Sequence, residues 1–185
     1  GAELYGDVRL DRLLNRLGSV EGIRWIRLMY AYPTEVKAPL IEAMAGVASV
    51  VPYLDVPIQH ADDRVLKRML RAYGRGLLDD MVASLRARIP NIALRTTVIV
   101  GFPGETDAEF ETLLDYVRRS EFDRLGCFMY SQEEGSAAAD LPGQVPEKVK
   151  IERRDRLMAA QQEIAFRKTK ARVETTFDVL VDAAA

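Results

Sequence analysis

Short apolar runs alternate with amphipathic stretches along this chain. The runs are of strand length and rich in aliphatic and aromatic residues, which predicts buried strands at residues 24–30, 51–56, 92–100 and 124–130. Between them, apolar residues recur every three or four positions, which predicts helices. These cover 39–47, 65–69, 77–89 after a break at Gly74 and Gly76, a stretch from Thr106, and a long stretch after Pro146.

Two helix starts carry their own signals. Thr106 and Glu109 have the spacing of a capping box, and Pro146 is a residue favoured in a first helical turn. Residues 173–181 return to strand-like alternation after the long helix. Because this run has no helix of its own, we interpret it as the first strand of another domain.

Strands that alternate with helices predict an α/β fold of parallel strand–helix repeats. Four repeats make about half of an eight-stranded barrel, which typically needs ~250 residues. The pattern therefore leaves an open sheet and part of a barrel as alternatives.

Composition restricts the class of protein. With 185 residues, 48% of them hydrophobic, the chain is long enough for one globular domain. We find no run of about 18 apolar residues and no charged-then-apolar leader, so we expect no membrane contact and a cytoplasmic location. The net charge is −2, but residues 147–172 hold nine lysines and arginines against four acidic residues. This helix is either a solvated face or a contact for RNA or the ribosome.

Cysteine and histidine each occur once, as Cys127 and His60. A disulfide within the chain is impossible, and a zinc or iron–sulfur site needs three or four soft ligands. We therefore expect this chain to supply no metal site, and we interpret Cys127 as a core residue.

Candidate chemistry gathers at the predicted strand ends, where parallel α/β folds bind ligands. Four clusters fall there, YAYP at 30–33, PIQH at 57–60, GFPGE at 101–105 and YSQEEG at 130–135. We expect all four to line one concave face, with Tyr30, Gln59, Arg95 and Gly101 in a shared pocket.

Each candidate has a structural alternative. Gly101 and Gly104 let the backbone approach a ligand and the next helix offers free N–H groups, but a plain turn has the same pattern. His60 is either a general base or a structural residue. Arg95 meets either a ligand carboxylate or Asp55.

Five segments together resemble radical S-adenosylmethionine (SAM) methylthiotransferases. They are WIRLMYAYP, YLDVPIQHADDRVLKRM, ALRTTVIVGFPGETDAEF, FDRLGCFMYSQEEGSAAADLPGQVPEKV and RLMAAQQEI, in that order. His60, Arg95 and the EEGS run resemble the branch that methylthiolates an aspartate of a small-subunit ribosomal protein. RAYGRG at 71–76 is closer to the tRNA-modifying branch.

The resemblance implies a partial radical SAM, TIM-like barrel over residues 1–172 and the start of a C-terminal β-barrel (TRAM) domain over 173–185. It implies SAM and two [4Fe-4S] clusters in the parent protein. The three cluster cysteines are expected upstream of residue 1, so we expect the chain alone to be inactive. The family's radical, formed from SAM, removes a substrate hydrogen, and a second cluster is thought to supply sulfur.

The implied site has two parts. The SAM side comprises Gln59, Arg95, Gly101, Phe102, Pro103, Gly104 and Glu105. The substrate side comprises Tyr130, Glu133 and Glu134, and the implied partner is a basic ribosomal protein. Three alternatives stay open: a tRNA methylthiotransferase, a small phosphate-binding α/β enzyme, and a non-catalytic RNA- or ribosome-binding module that uses residues 147–172.

Overall fold

A four-stranded parallel sheet forms the centre of the fold. The computed structural model describes residues 9–181. The strands are β1 (Ile26–Leu28), β2 (Val50–Asp55), β3 (Ala93–Val100) and β4 (Arg124–Met129), and they lie in the order in which they occur along the chain. β1, β3 and β4 fall within their predicted runs and β2 begins one residue before its run, because each run is long enough and apolar enough for a strand buried on one face.

Within residues 9–181, six helices connect or flank the strands. They are α1 (Leu10–Gly18), α2 (Ala38–Gly46), α3 (Asp63–Arg68), α4 (Arg75–Arg88), α5 (Asp107–Ser120) and α6 (Glu147–Lys170), with a 3₁₀ turn at Pro33–Glu35. The predicted capping box is present at the start of α5. The break between α3 and α4 begins at Met69, earlier than the glycines suggested, and it contains Leu70 at φ 54°.

Helix α1 was not predicted. Its leucines at 10, 13, 14 and 17 have helical spacing, but only Leu14 is buried. The sequence signal was therefore present, in a helix that buries one of its four leucines.

The sheet has one covered face and one open face. Leu94, Thr96, Val98 and Val100 of β3 are fully buried beneath the helices, whereas Arg95, Thr97 and Ile99 between them are half-exposed. Residues paired in register on parallel strands share a face, so the row Asp55, Arg95 and Arg124 lies on the open side.

The strand predicted at 173–181 is not found. Through residue 181, the last one described, this segment contains no strand, and Val173, Phe177 and Val179 are exposed. Alternation alone does not make a strand, because the backbone N–H and C=O groups need a neighbouring strand to pair with. The remainder of the predicted TRAM segment, 182–185, lies outside the described residues, as do residues 1–8.

Candidate functional site

The four strand-end clusters lie side by side at one edge of the sheet. Backbone hydrogen bonds continue past the strands, with Ala31 N donating to Asp55 O at 2.8 Å and Gln59 N to Thr97 O at 3.0 Å. Tyr130 N donates to Val100 O at 2.9 Å. The edge is therefore a continuous surface built by four segments that are distant in sequence.

The turn Gly101–Glu105 is held from within. Gly101 (φ 74°) and Gly104 (φ 76°) adopt the left-handed conformation, which favours glycine. Gly101 N donates to the Glu105 carboxylate at 2.9 Å, so the end of the turn folds back on its beginning. A Cβ at Gly101 would collide with the side chain of Lys150. The glycine is thus required by close packing on the helix side of the turn.

Glu105 faces the interior. Its side chain is fully buried and accepts from Arg153 Nη1 at 2.9 Å. Burial raises the pKa of Glu105 to about 7, against the opposing effects of Arg153 and the backbone N–H groups of Gly101 and Phe102. The side chain that we expected beside SAM therefore points at α6, and its role is to hold the turn.

His60 is a structural histidine. It is fully buried, its Nδ1 accepts from Asp62 N at 3.0 Å, and its Nε2 lies 3.6 Å from the Glu105 carboxylate. Burial lowers its pKa to about 3, so the ring is neutral near pH 7. With no exposed atom, His60 does not reach a substrate proton, and the structure favours the second of its two interpretations.

Arg95 lies on the open face, as its proposed role requires. It forms an ion pair with Asp55, its register partner on β2. The sequence left a ligand carboxylate and Asp55 as possible partners of Arg95. Among the described residues, Asp55 is the partner. The other Asp55 oxygen, Oδ1, is buried without a hydrogen-bond partner, which leaves acceptor capacity at the base of this face.

Arg95 and the Gly101 turn do not meet in one compact pocket. Arg95 is the third residue of β3, six positions before Gly101. At ~3.3 Å per residue, roughly 20 Å of strand separates them. The prediction of a shared pocket was wrong for Arg95. Parallel strands bring their carboxyl ends to one edge of the sheet, and Arg95 lies near the start of its strand. Gln59, which pairs with Val98, lies between the two.

A capping box occupies part of the helix N-terminus after the turn. Thr106 N donates to Glu109 Oε2 at 2.8 Å and Glu109 N to Thr106 Oγ1 at 3.3 Å. The first turn of α5 also contains Asp107, so its charge is unfavourable for an anion. Because the capping box already uses the Glu109 N–H, fewer donors are left for an anion, and the phosphate-binding alternative loses support.

The end of β4 presents a different surface. The Tyr130 ring packs edge-on against Phe102 at 5.3 Å between centroids, and its hydroxyl is buried without a hydrogen-bond partner. Beyond it, Glu133 and Glu134 are exposed. Their carboxylates make no ion pair with the described residues, so they are free to meet a partner.

The described residues of this chain do not fit an iron–sulfur cluster. Burial raises the pKa of Cys127 to about 12, so its thiol is not a thiolate ligand near neutral pH. Across residues 9–181, no group of three His, Cys, Asp or Glu side chains could hold a metal ion. No helix in the same range is long and apolar enough to cross a membrane.

Most of the basic side chains of helix α6 are paired with acidic side chains of the same chain. Seven of the nine lysines and arginines at 147–172 form ion pairs, several of them with α5 and its flanking residues. Only Lys148 and Lys170 lack an ion pair among the described residues.

Two basic residues of α6, Lys150 and Arg153, are buried. Sequence reasoning missed these two, although their spacing matches that of the core residues Leu157 and Ile164 on the same helix.

Comparisons with known sequences found a matching family model and several sequence relatives. The family model described as the Radical SAM superfamily matches residues 7–117. A relative named ribosomal protein uS12 methylthiotransferase RimO, from Anaeromyxobacter sp. (strain K), is 51% identical over 182 residues, which cover 98% of this chain and 39% of the relative. The protein of that name from Pelotomaculum thermopropionicum is 50% identical, with 98% and 41% covered. The chain spans about two fifths of the length of these curated relatives.

Solved structures share the fold at low sequence identity. Coproporphyrinogen III oxidase (HemN) from Escherichia coli, described as a radical SAM enzyme, matches with a TM-score of 0.59 and 18% identity over 86% of this chain and 36% of its own. The radical SAM methyltransferase TsrM from Kitasatospora setae matches with a TM-score of 0.52 and 18% identity, covering 65% and 24%. These similarities show an architecture and carry no residue roles.

Proposed function

This chain belongs to the radical SAM superfamily, and from that premise we propose that it forms the central barrel part of a methylthiotransferase acting on ribosomal protein uS12. The observation that carries the proposal is identity of about 50% to RimO proteins along 98% of this chain. That similarity covers every strand-end cluster described above.

We assign the SAM side of the site to the elongated surface from Arg95 through Gln59 to the turn Gly101–Gly104. Two observations support a polar ligand there. Gln59 is half-buried at φ 63°, with no side-chain hydrogen bond to the described residues, and Asp55 Oδ1 lacks a partner. When bound, SAM supplies the radical chemistry of the superfamily. The part of this chain is to hold and orient it.

In the same proposal, residues 1–172 belong to the barrel and residues 173–185 begin a TRAM domain. The exposed Val173, Phe177 and Val179 support this boundary, since more than half of the surface of each of these large apolar residues is exposed. The parent protein would hold two [4Fe-4S] clusters on ligands outside this chain and would act in the cytoplasm. The chain alone would be inactive.

The substrate side supports a protein substrate over tRNA. Glu133 and Glu134 present two carboxylates, which attract a basic ribosomal protein and repel an RNA backbone. The basic residues of α6, the main candidates for RNA contact, are mostly paired internally. RAYGRG at 71–76 remains the feature that favours the tRNA branch.

The test incubates the anaerobically reconstituted parent protein with SAM, a reductant, and either uS12 or tRNA. We expect mass spectrometry to find one hydrogen of uS12 replaced by a methylthio group at an aspartate. The control is uS12 with that aspartate changed to asparagine, which should stay unmodified. A methylthio group on tRNA, with uS12 untouched, would reject the proposal in favour of the tRNA branch.

A further inference from the structure

Helix α6 sends two buried basic side chains to the strand-end edge. Lys150 and Arg153 are 7% and 5% exposed, and their spacing of three residues puts them on one helix face. Lys150 Nζ donates to Tyr130 O at 2.8 Å, at the end of β4. Its aliphatic stem lies against Gly101. The same helix therefore touches the ends of β3 and β4.

Arg153 contacts the turn after β3 through three acceptors. Its Nη1 donates to Glu105 Oε1 at 2.9 Å and to Glu105 O at 3.1 Å, and its Nη2 donates to Asp107 Oδ1 at 2.7 Å. The guanidinium thus fixes both the main chain and the carboxylate of Glu105. The other oxygen of that carboxylate accepts from Gly101 N. A continuous chain of contacts runs from α6 to both ends of the turn.

A buried arginine is an expensive way to join a helix to a turn. Its desolvation is offset only by well-placed partners, and apolar side chains of similar volume often stabilise a fold as well or better. What an arginine adds is geometry, because its planar fork holds several acceptors in fixed directions. The three contacts of Arg153 use that property, and one lysine ammonium cannot reproduce them from the same position.

We propose that Arg153 is a positioning residue, which sets the Gly101–Glu105 turn in the arrangement that binds SAM. This inference rests on the proposed function, since it takes the turn to be part of the SAM surface. Arg153 touches no cofactor itself and acts through Glu105. A displacement of the turn by even about 1 Å is enough to weaken a site of this kind by an order of magnitude or more.

The chain offers two matched controls on the same helix. Arg156 also pairs with a carboxylate of α5, Glu111, but both side chains are substantially exposed. Leu157 is fully buried and packs in the core, so its truncation destabilises the fold without removing a contact to the turn.

The experiment compares Arg153→Met, Arg153→Lys, Arg156→Met and Leu157→Ala in the intact parent protein. Equilibrium dialysis measures the Kd for SAM at a temperature where thermal melts show every variant folded. Hydrogen exchange measures the amides of residues 101–105. Both Arg153 variants should raise the Kd by about tenfold or more and speed exchange in the turn. The two controls should stay within about twofold of wild type.

Two further measurements distinguish a role of Arg153 in positioning the turn from a general contribution to the stability of the fold. Because Arg153 acts through Glu105, Arg153→Met should add little to the loss of SAM affinity in a Glu105→Gln background. An equal loss of affinity in Leu157→Ala, or faster exchange in Arg153→Met at unchanged Kd, would overturn the inference. If wild type itself binds no SAM, the proposed function fails, and exchange in the turn still reports whether Arg153 holds it.

Discussion

The loops that follow β3 and β4 occupy neighbouring positions at one edge of the sheet, yet they are built in opposite ways. The turn Gly101–Glu105 is packed against α6, and its carboxylate is paired with Arg153 inside the protein. Residues 131–135 are exposed, and Glu133 and Glu134 face solvent. Both loops carry glycine and glutamate, so composition does not distinguish them.

The difference shows that a carboxylate at a strand end serves either the fold or a partner, according to what the next elements bring to it. Glu105 meets Arg153, which lies 48 residues later in the chain. No described cation meets Glu133 or Glu134. A packed turn such as Gly101–Glu105 suits a small cofactor that has to be held in one position. An exposed loop such as residues 131–135 suits a macromolecule that docks beside it.

The largest effect is expected from one substitution made in both loops. Gly101→Ala and Gly135→Ala each place a Cβ on a residue with positive φ, 74° and 77° respectively, which costs about 1 kcal/mol. Only at Gly101 does the new Cβ collide with Lys150, whereas at Gly135 it meets no atom within 4 Å. We expect Gly101→Ala to lower the free energy of unfolding by about 2–4 kcal/mol and Gly135→Ala by about 1 kcal/mol. Urea unfolding measures both.

Equal losses in the two variants would contradict the contrast between the loops. The Gly135 variant is the internal control for backbone strain, so the difference between the variants reports the packing of Lys150 against the turn.

A smaller effect is expected from the protonation of His60. Its pKa is lowered from 6.5 to about 3 in the folded protein, so below pH 6.5 the unfolded state binds a proton that the folded state excludes. The contribution of His60 to stability is therefore complete above pH 6.5 and declines as the pH falls. His60→Gln should lose less stability than wild type between pH 7 and pH 4.5, by about 2–3 kcal/mol.

Chemical unfolding at a series of pH values measures this difference. Glu105 also titrates, with the opposite sign because its pKa is raised, and its carboxylate lies 3.6 Å from His60 Nε2. Both proteins are therefore compared in a Glu105→Gln background, in which only residue 60 differs. Parallel curves for wild type and His60→Gln would show that His60 is solvated in the folded protein.

Much of the scaffold was predictable because it depends on local pattern. The apolar runs gave β2, β3 and β4, and Thr106 with Glu109 gave the start of α5. The common edge of the four clusters followed from the polarity of parallel strands. To predict these features, one needs only the residues a few positions away along the chain, together with the general rules of parallel sheets.

The interior direction of Glu105 was not predictable from its own segment. It depends on Arg153, and the nearby pattern of residues 147–172 indicated only a basic helix. The strand predicted at 173–181 failed for a related reason, since alternation has to be completed by a pairing partner. Arg95 lies on the open face but away from the turn, because the six positions between Arg95 and Gly101 run along one strand. This separation could have been predicted from the sequence, since it follows from the length of β3 alone.

The smallest effect concerns the exposed loop. If Glu133 and Glu134 meet a basic ribosomal protein, changing both to glutamine in the intact parent protein should weaken binding of uS12 at low salt. Exposed charge pairs contribute only about 0.2–1 kcal/mol each, so the Kd should rise by no more than about thirtyfold and commonly by less. Salt screens such pairs over about 10 Å at 0.1 M, so the two proteins should converge as ionic strength rises.

Fluorescence titration of labelled uS12 across a salt series measures this convergence. The matched control is the pair Glu152→Gln and Glu163→Gln on α6, two exposed acids that make no ion pair with the described residues, which keeps the change in net charge the same. If the control weakens uS12 binding as much as the loop variant does, the attraction comes from the overall charge of the protein. If neither changes binding at low salt, the loop after β4 is ordinary surface. In that case the contrast between the two loops remains a contrast in packing, without a division between cofactor and substrate.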